Sequence, residues 1–192
     1  LKHSSSKLLY AHWNERRGAR AAPERADIDP GAIRHALGDC FVISFDATAG
    51  HPFRLAGTRL CDLFGRELKG VPFGSLWSPE NRADACALLA LVADETTPLI
   101  AGVTGFADGG DAIELELLVL PLRHHGKTHA RQIGILAPLT KPFWLGQSPL
   151  RSLRLATFRH LGPALGGEAP PPPEVPRSRL RRGLLVLDGG RA

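Results

Sequence analysis

The run from Phe53 to Trp77, FRLAGTRLCDLFGRELKGVPFGSLW, constrains the fold more than any other part of the chain. Phe53 and Leu55 alternate with Arg54 and Ala56, the period of a strand with one buried face. Gly57 breaks that alternation, and Thr58 stands where an N-cap hydroxyl is needed. Leu60, Leu63 and Phe64 then recur at helical spacing until Gly65 stops the helix. A second tight connection is predicted at Glu67-Leu68-Lys69-Gly70. Phe73, Leu76 and Trp77 follow, and Ser78-Pro79 opens a longer helix with Ser78 as cap and Pro79 in the first turn.

The flanking segments extend this pattern. Ser4 to Ser6 offer cap oxygens to a helix running toward Gly18, with Leu9 and Trp13 four residues apart and Tyr10 beside them. Ala21 to Ala26 reads as a linker. Asp29 and Pro30 are expected to cap and begin a short helix carrying Ile33, Ala36 and Leu37, and Gly38 ends it. Cys40 to Asp46 is a predicted strand that returns through a turn at 47–52. The helix body from Ala83 to Ala93 is apolar almost all round and is expected to be buried. Three strands follow, Leu99 to Phe106, Ala112 to Leu122 and His129 to Pro138, with hairpin turns at Asp108-Gly109-Gly110 and His124-His125-Gly126. The middle one turns apolar on both faces at Leu118, Val119 and Leu120, so both of its faces must be covered. Beyond the aromatic turn Pro142-Phe143-Trp144-Leu145-Gly146, the stretch Leu150 to Leu165 is predicted as a short basic helix. A polyproline linker at Pro170 to Pro173 leads into a basic tail that ends in an apolar run, Leu184 to Leu187.

With 192 residues, 43% of them hydrophobic, the chain suits one domain with flanks. The longest apolar run, Ala85 to Ala93, is far short of the roughly 20 residues that span a bilayer, and no charged-then-apolar leader is seen. A cytoplasmic protein without membrane insertion is the expectation. From the absence of Met, even at position 1, the expectation is that the true start lies upstream or was removed. Cys40, Cys61 and Cys86 lack paired spacing and are expected to act as small hydrophobes. Charge is uneven: residues 1–140 hold 15 Lys and Arg against 16 Asp and Glu, whereas residues 141–192 hold 9 against 3.

Enzyme motifs are missing: there is no GxSxG, GxxxxGK[ST], HExxH or well-placed GxGxxG. His124, His125 and His129 straddle a turn and are read as solvated rather than as metal ligands. Glu114 and Glu116 share one strand face and are read as a solvated edge.

The order of two strands, short helices, one long helix and three strands is that of a PAS domain. The motifs YxxW (Tyr10, Trp13), DIDP (Asp27 to Pro30), RLAGTRLCDLFGRELKG, LW (Leu76, Trp77), LPL (Leu120 to Leu122) and PFWLG resemble, in this order, a group of small bacterial single-PAS regulatory proteins formerly grouped as a domain of unknown function. The resemblance implies an α+β PAS fold: a five-stranded antiparallel sheet with short helices and one long helix on one face, plus an N-terminal flanking helix. Residues 1–26 would form the flanking helix and linker, 27–140 the core, 141–169 an extension and 170–192 the Pro-rich linker and tail.

It implies a non-catalytic sensory or regulatory module, working through protein contacts in signal transduction. Any small organic ligand would sit between the long helix and the sheet, against Leu60, Cys61, Phe64, Trp77, Leu89 and Leu117. Leu9, Tyr10, Trp13, Leu118 and Leu120 are expected at a contact with a second copy or a partner such as a histidine kinase. The identity of any cofactor stays open. Haem is disfavoured because Ser78 to Asp94 lacks a His, and flavin is disfavoured because Cys61 stands in Arg-Leu-Cys-Asp-Leu-Phe rather than in the reactive-cysteine segment of flavin light sensors. Two alternatives remain, a small-molecule-binding protein without a signalling partner and a nucleic-acid-associated protein using Arg151 to Arg182; nucleic acid is the less favoured partner.

Overall fold

Both faces of the central sheet are apolar, and helices cover each. The structure, a computed structural model, describes residues 1–161 and 185–186. The sheet order is β2-β1-β5-β4-β3-β6-β7, built from β1 (Cys40–Ser44), β2 (Phe53–Ala56), β3 (Leu99–Ala107), β4 (Ala112–His124), β5 (Lys127–Pro138), β6 (Leu150–His160) and the two-residue β7 (Leu185–Val186). All pairings are antiparallel except β6 with β7. The helices are α1 (Ser4–Arg17), α2 (Thr58–Phe64) and α3 (Pro79–Glu95).

Pleating divides the core in two. Val119 of β4 faces α2 and α3 in a cluster with Phe41, Leu60, Leu89 and Trp77, which we call the inner face. Leu118 and Leu120 face the other way and pack with Leu9 and Trp13 of α1 and with Val42, Ile133 and Ile135, on the outer face. Helix α1 is fastened there by more than apolar area. The indole Nε1 of Trp13 donates to the Pro121 carbonyl at 2.8 Å, Tyr10 stacks on Trp13, and the Arg17 guanidinium lies 5.5 Å from the indole. Of the two covers possible for this face, the chain's own helix or a second copy's, the chain supplies its own.

Several expectations are corrected. The helix expected from Leu150 to Leu165 is replaced over its described part: Leu150–His160 is strand β6, hydrogen-bonded along β3 from Leu99 to Ala107, and residues 162–165 lie outside the described residues. Leu153 and Leu155 alternate with Ser152 and Arg154, and the open edge of β3 satisfies the backbone of β6 as a sixth antiparallel strand. The expected helix after Pro30 is a set of turns leading into a short 3-10 helix at Leu37–Asp39, although Asp29 Oδ1 does accept from the Gly31 amide at 2.8 Å as an N-cap does. Leu55 does not share a face with Phe53. A bulge between Val42 and Ile43 pairs Phe53 with Ile43 but Leu55 with Val42, turning Leu55 outward to 42% exposure.

Caps differ as well. His3 rather than a serine caps α1, its Nδ1 accepting from Ser5 N at 3.2 Å. Gly57 occupies the N-cap of α2, where a Cβ would overlap the carbonyls of Leu37 and Gly38, and Thr58 begins the helix. Gly65 ends α2 in the left-handed region, as expected. The Ser78 hydroxyl makes no cap bond, although Pro79 does open α3. Only one stripe of α3 is buried (Ala85, Leu88, Leu89, Val92, Ala93), and Ala83 and Ala87 face solvent. Cys40 is buried, with burial pushing its thiol pKa up to about 12, while Cys61 and Cys86 are half-buried.

Replacing Trp13 by Ala is expected to cost roughly 3–5 kcal/mol, because a buried indole and its hydrogen bond to Pro121 both disappear. Urea denaturation checks this; a loss under about 1 kcal/mol would mean that α1 contributes little to the outer core.

Candidate functional site

The residues expected around a ligand do converge. Leu60 and Phe64 from α2, Trp77 before α3, Leu89 from α3 and Leu117 from β4 share the inner cluster. They meet as packed side chains, joined by Phe41, Phe53 and Phe73; the Phe41 and Phe53 rings are edge-on at 5.7 Å, and Phe73 and Trp77 lie 5.6 Å apart. Cys61 sits at the margin of this cluster, its Sγ 3.7 Å from Glu67 Oε1, and burial raises its thiol pKa. That Glu67 oxygen also accepts from the amides of Leu68 and Lys69 at 2.9 Å, which shapes the turn after α2.

Two polar groups inside this apolar layer were not anticipated as a pair. Gln132 of β5 is fully buried and donates through Nε2 to the Leu89 carbonyl of α3 at 2.6 Å, while its Oε1 has no partner. Trp77 Nε1 is likewise buried without an acceptor. Such orphaned groups weaken a core unless something satisfies them. The signal for Gln132 was present in the alternation: Ile133 and Ile135 point outward, which turns Gln132 inward.

Leu9, Tyr10, Trp13, Leu118 and Leu120 also come together, within one chain and largely buried there. The reading of Glu116 as a solvated carboxylate is corrected: it is buried, and its carboxylate accepts from the amides of Lys2 at 2.6 Å and His3 at 3.0 Å, fixing the chain just before α1. Glu114 is exposed. His124 and His125 occupy the β4–β5 turn, whereas His129 reaches Asp94 Oδ1 at 2.8 Å. Among the described residues, no group of three or more His, Cys, Asp or Glu is arranged to hold a metal. Of the basic residues toward the C-terminus, Arg151 pairs with Asp108 and Arg154 lies over the Phe106 ring, while Arg182 falls outside the described residues.

A buried polar junction was missed by sequence reasoning. Asp39, 3% exposed, accepts from Ser5 Oγ of α1 at 2.6 Å and from Arg59 of α2 through Nε at 2.7 Å and Nη2 at 2.8 Å. Arg59 Nη2 also donates to the His35 carbonyl. One carboxylate thus joins the flanking helix, the start of β1 and the first helix of the inner face. Burial pushes its pKa up, but the hydrogen bonds from Arg59 and Ser5, with the positive charge beside it, outweigh burial and hold it below 3.8. A cleft of about 340 Å³ opens against this junction, lined by His3, Ser5, His35, Arg59, Asp62 and Lys141 among others.

Trp77→Ala is expected to cost roughly 3–5 kcal/mol, whereas Trp77→Phe, which deletes the orphaned N–H and keeps a ring, should stay within about 1 kcal/mol of the parent. Equal losses in urea denaturation would show that the indole N–H has a partner. Because the folded pKa of Asp39 lies below its ordinary 3.8, its charged form stabilises the fold at higher pH, and that contribution drains away as pH falls through the folded value. Asp39→Asn should therefore lose stability at pH 7 and show a shallower acid limb. Parallel limbs in variant and parent would contradict this.

No curated protein matches the chain. Solved structures similar to it include a light-oxygen-voltage domain described with a flavin analogue, at 15% identity, TM-score 0.45, covering 58% of this chain and 84% of that one. The Rhodobacter sphaeroides LOV protein is similar at 13% identity and TM-score 0.44, covering 60% and 71%. The Erythrobacter litoralis EL346 blue-light activated histidine kinase is similar at 15% identity and TM-score 0.44, covering 57% of this chain and 36% of that one. The expectation that disfavoured flavin is corrected by the first of these neighbours, a light-oxygen-voltage domain described with a flavin analogue, and flavin is no longer set aside. A family model described as "PAS domain" matches residues 1–137, and with the sheet order and the helices on the inner face this establishes that the chain belongs to the PAS domain family.

Proposed function

We propose that the chain is a non-catalytic sensory or regulatory module of signal transduction, acting in the cytoplasm through protein–protein contacts as a homodimer and on a signalling protein such as a histidine kinase. The observation that carries this reading is the bridge at Asp39. A signal that shifts α2 pulls on Arg59, and the same carboxylate holds Ser5 of α1. A buried, hydrogen-bonded charge passes such a displacement on, because breaking either contact leaves the carboxylate underpaired in a dry setting. Helix α1 is then the output element, and its release would uncover Leu118, Leu120 and Ile133 for a second copy or a partner. Phe143, 91% exposed beside the buried Trp144, offers a further contact.

A ligand reading is favoured by the orphaned Trp77 Nε1 and Gln132 Oε1, which a small polar group in the inner layer would satisfy. Native mass spectrometry of freshly purified protein separates the two: retained mass above the polypeptide supports ligand control, and a bare dimer supports contact control.

Hydrogen exchange on the parent and Asp39→Asn tests the bridge. The α1 amides are expected to exchange at least about tenfold faster in the variant while α3 and β4 keep their protection, and the dimerisation constant from sedimentation should shift. Unchanged α1 exchange, or loss of protection everywhere at once, would remove Asp39 as the coupling element; a monomer at every concentration would remove the homodimer.

A further inference from the structure

A second cleft, of about 360 Å³, lies on the outer face beyond the reach of α1. Its floor is Val42, Ile133 and Leu55, which are directly paired across β1, β5 and β2, and its wall is Ile28, Ile33 and Pro30 from the turns before β1. The volume lies within the range of small-molecule sites. The β2 bulge gives the cleft its character by turning Leu55 outward; with Phe143, it is one of the two large hydrophobic side chains exposed among the described residues.

Arg25 is the one charged residue lining this cleft. Two more guanidinium groups stand at its end. Arg131 precedes Ile133 by two positions on the same strand face and is paired across from Ser44, whose hydroxyl accepts from Arg54 Nε at 2.7 Å. The nearby carboxylates are engaged elsewhere: Glu24 with Arg123 and the Gly126 amide, Asp27 with Arg20, and Asp39 with Arg59. Among the described residues, no ion pair joins Arg25, Arg54 or Arg131 to a carboxylate. The crowding is felt at Arg131, whose affinity for its proton is reduced by burial and then by the charges of Arg54 and Arg25.

Three unneutralised guanidinium groups beside an apolar cleft are complementary to one kind of molecule. We propose that this outer-face cleft binds a small amphiphilic carboxylate, its apolar body over Leu55, Val42 and Ile133 and its carboxylate among Arg25, Arg131 and Arg54. An uncharged amphiphile would gain the apolar contact but leave the arginines unneutralised, and a cationic one would be repelled. Arginine suits the head group because its planar fork meets a carboxylate through two parallel hydrogen bonds. The inference goes beyond the regulatory reading and stands or falls on binding alone.

Decanoate, decanol and decylamine, each below its aggregation limit, are titrated against the full chain by calorimetry, with the Ile and Val methyl signals of Ile33, Val42 and Ile133 followed by NMR. Decanoate is expected to bind saturably, shift those methyls and weaken with added salt, with decanol at least about tenfold weaker, a difference near 1.4 kcal/mol. Arg25→Gln combined with Arg131→Gln should abolish the preference for decanoate over decanol; thermal unfolding of the unliganded variant shows that it is folded, and Leu55→Ser gives a second test by weakening both ligands. Equal affinity for all three amphiphiles, methyl shifts confined to the inner layer, or decanoate affinity unchanged in the double variant would overturn the proposal.

Discussion

Everything in this fold answers to a sheet that is apolar on both sides. The alternation of Leu118, Val119 and Leu120 in β4 sends a large side chain to each face, and neither face is left to water. The inner face is covered by elements that follow closely in the chain, α2 and α3. The outer face takes its cover from the other end of the molecule, since α1 precedes β4 by about a hundred residues. A helix brought from so far is secured by specific polar contacts as well as by burial. Trp13 Nε1 on Pro121, Ser5 on Asp39 and the Glu116 carboxylate on the amides of Lys2 and His3 are those contacts.

This need for polar fasteners explains why the buried charges lie where they do. Asp39 and Glu116 are both almost fully enclosed, and each accepts a hydrogen bond from α1 or the residues before it, Asp39 from Arg59 of α2 as well. A buried carboxylate with well-placed donors contributes less to stability than apolar packing would, but it fixes one arrangement of the helix over its alternatives. Removing a donor leaves the carboxylate underpaired and makes the docked state costly.

The order of strands and helices and the two faces of β4 were legible in the residues because long, strongly periodic segments report their own burial. The C-terminal strand was not. Leu150 to His160 carries leucines whose spacing fits a helix as well as a strand, and only the free edge of β3, a partner about fifty residues earlier, decides between them. Leu55 was misplaced for a similar reason: strict alternation puts it with Phe53, and a one-residue bulge, invisible in the sequence, moves it to the opposite face. The inner-layer residues named from the sequence share one cluster, yet their neighbour Gln132 escaped notice because a polar residue in a strand reads as an outward one. Asp39 escaped too, since a single aspartate before a strand looks like turn chemistry until its donors, 34 and 20 residues away, are in place.

The outer cleft and the Asp39 junction are two ends of one short segment. Ile28, Ile33 and Leu37 line the cleft, and two residues after Leu37 the chain reaches Asp39. Those residues form turns without a continuous helix, so they resist displacement mainly through the side chains they bury and through the backbone contact of Gly57 with Leu37 and Gly38. An occupant that wedges between Ile33 and Leu55 therefore works against the same residues that hold Asp39 between Ser5 and Arg59. In that geometry ligand and flanking helix compete for, or reinforce, a single placement of residues 28–39. The sign is set by whether the filled cleft draws Leu37 toward the sheet or away from it. In the proposed complex, drawing it inward would tighten the carboxylate on α1 and keep the outer face closed, and pushing it away would loosen the helix.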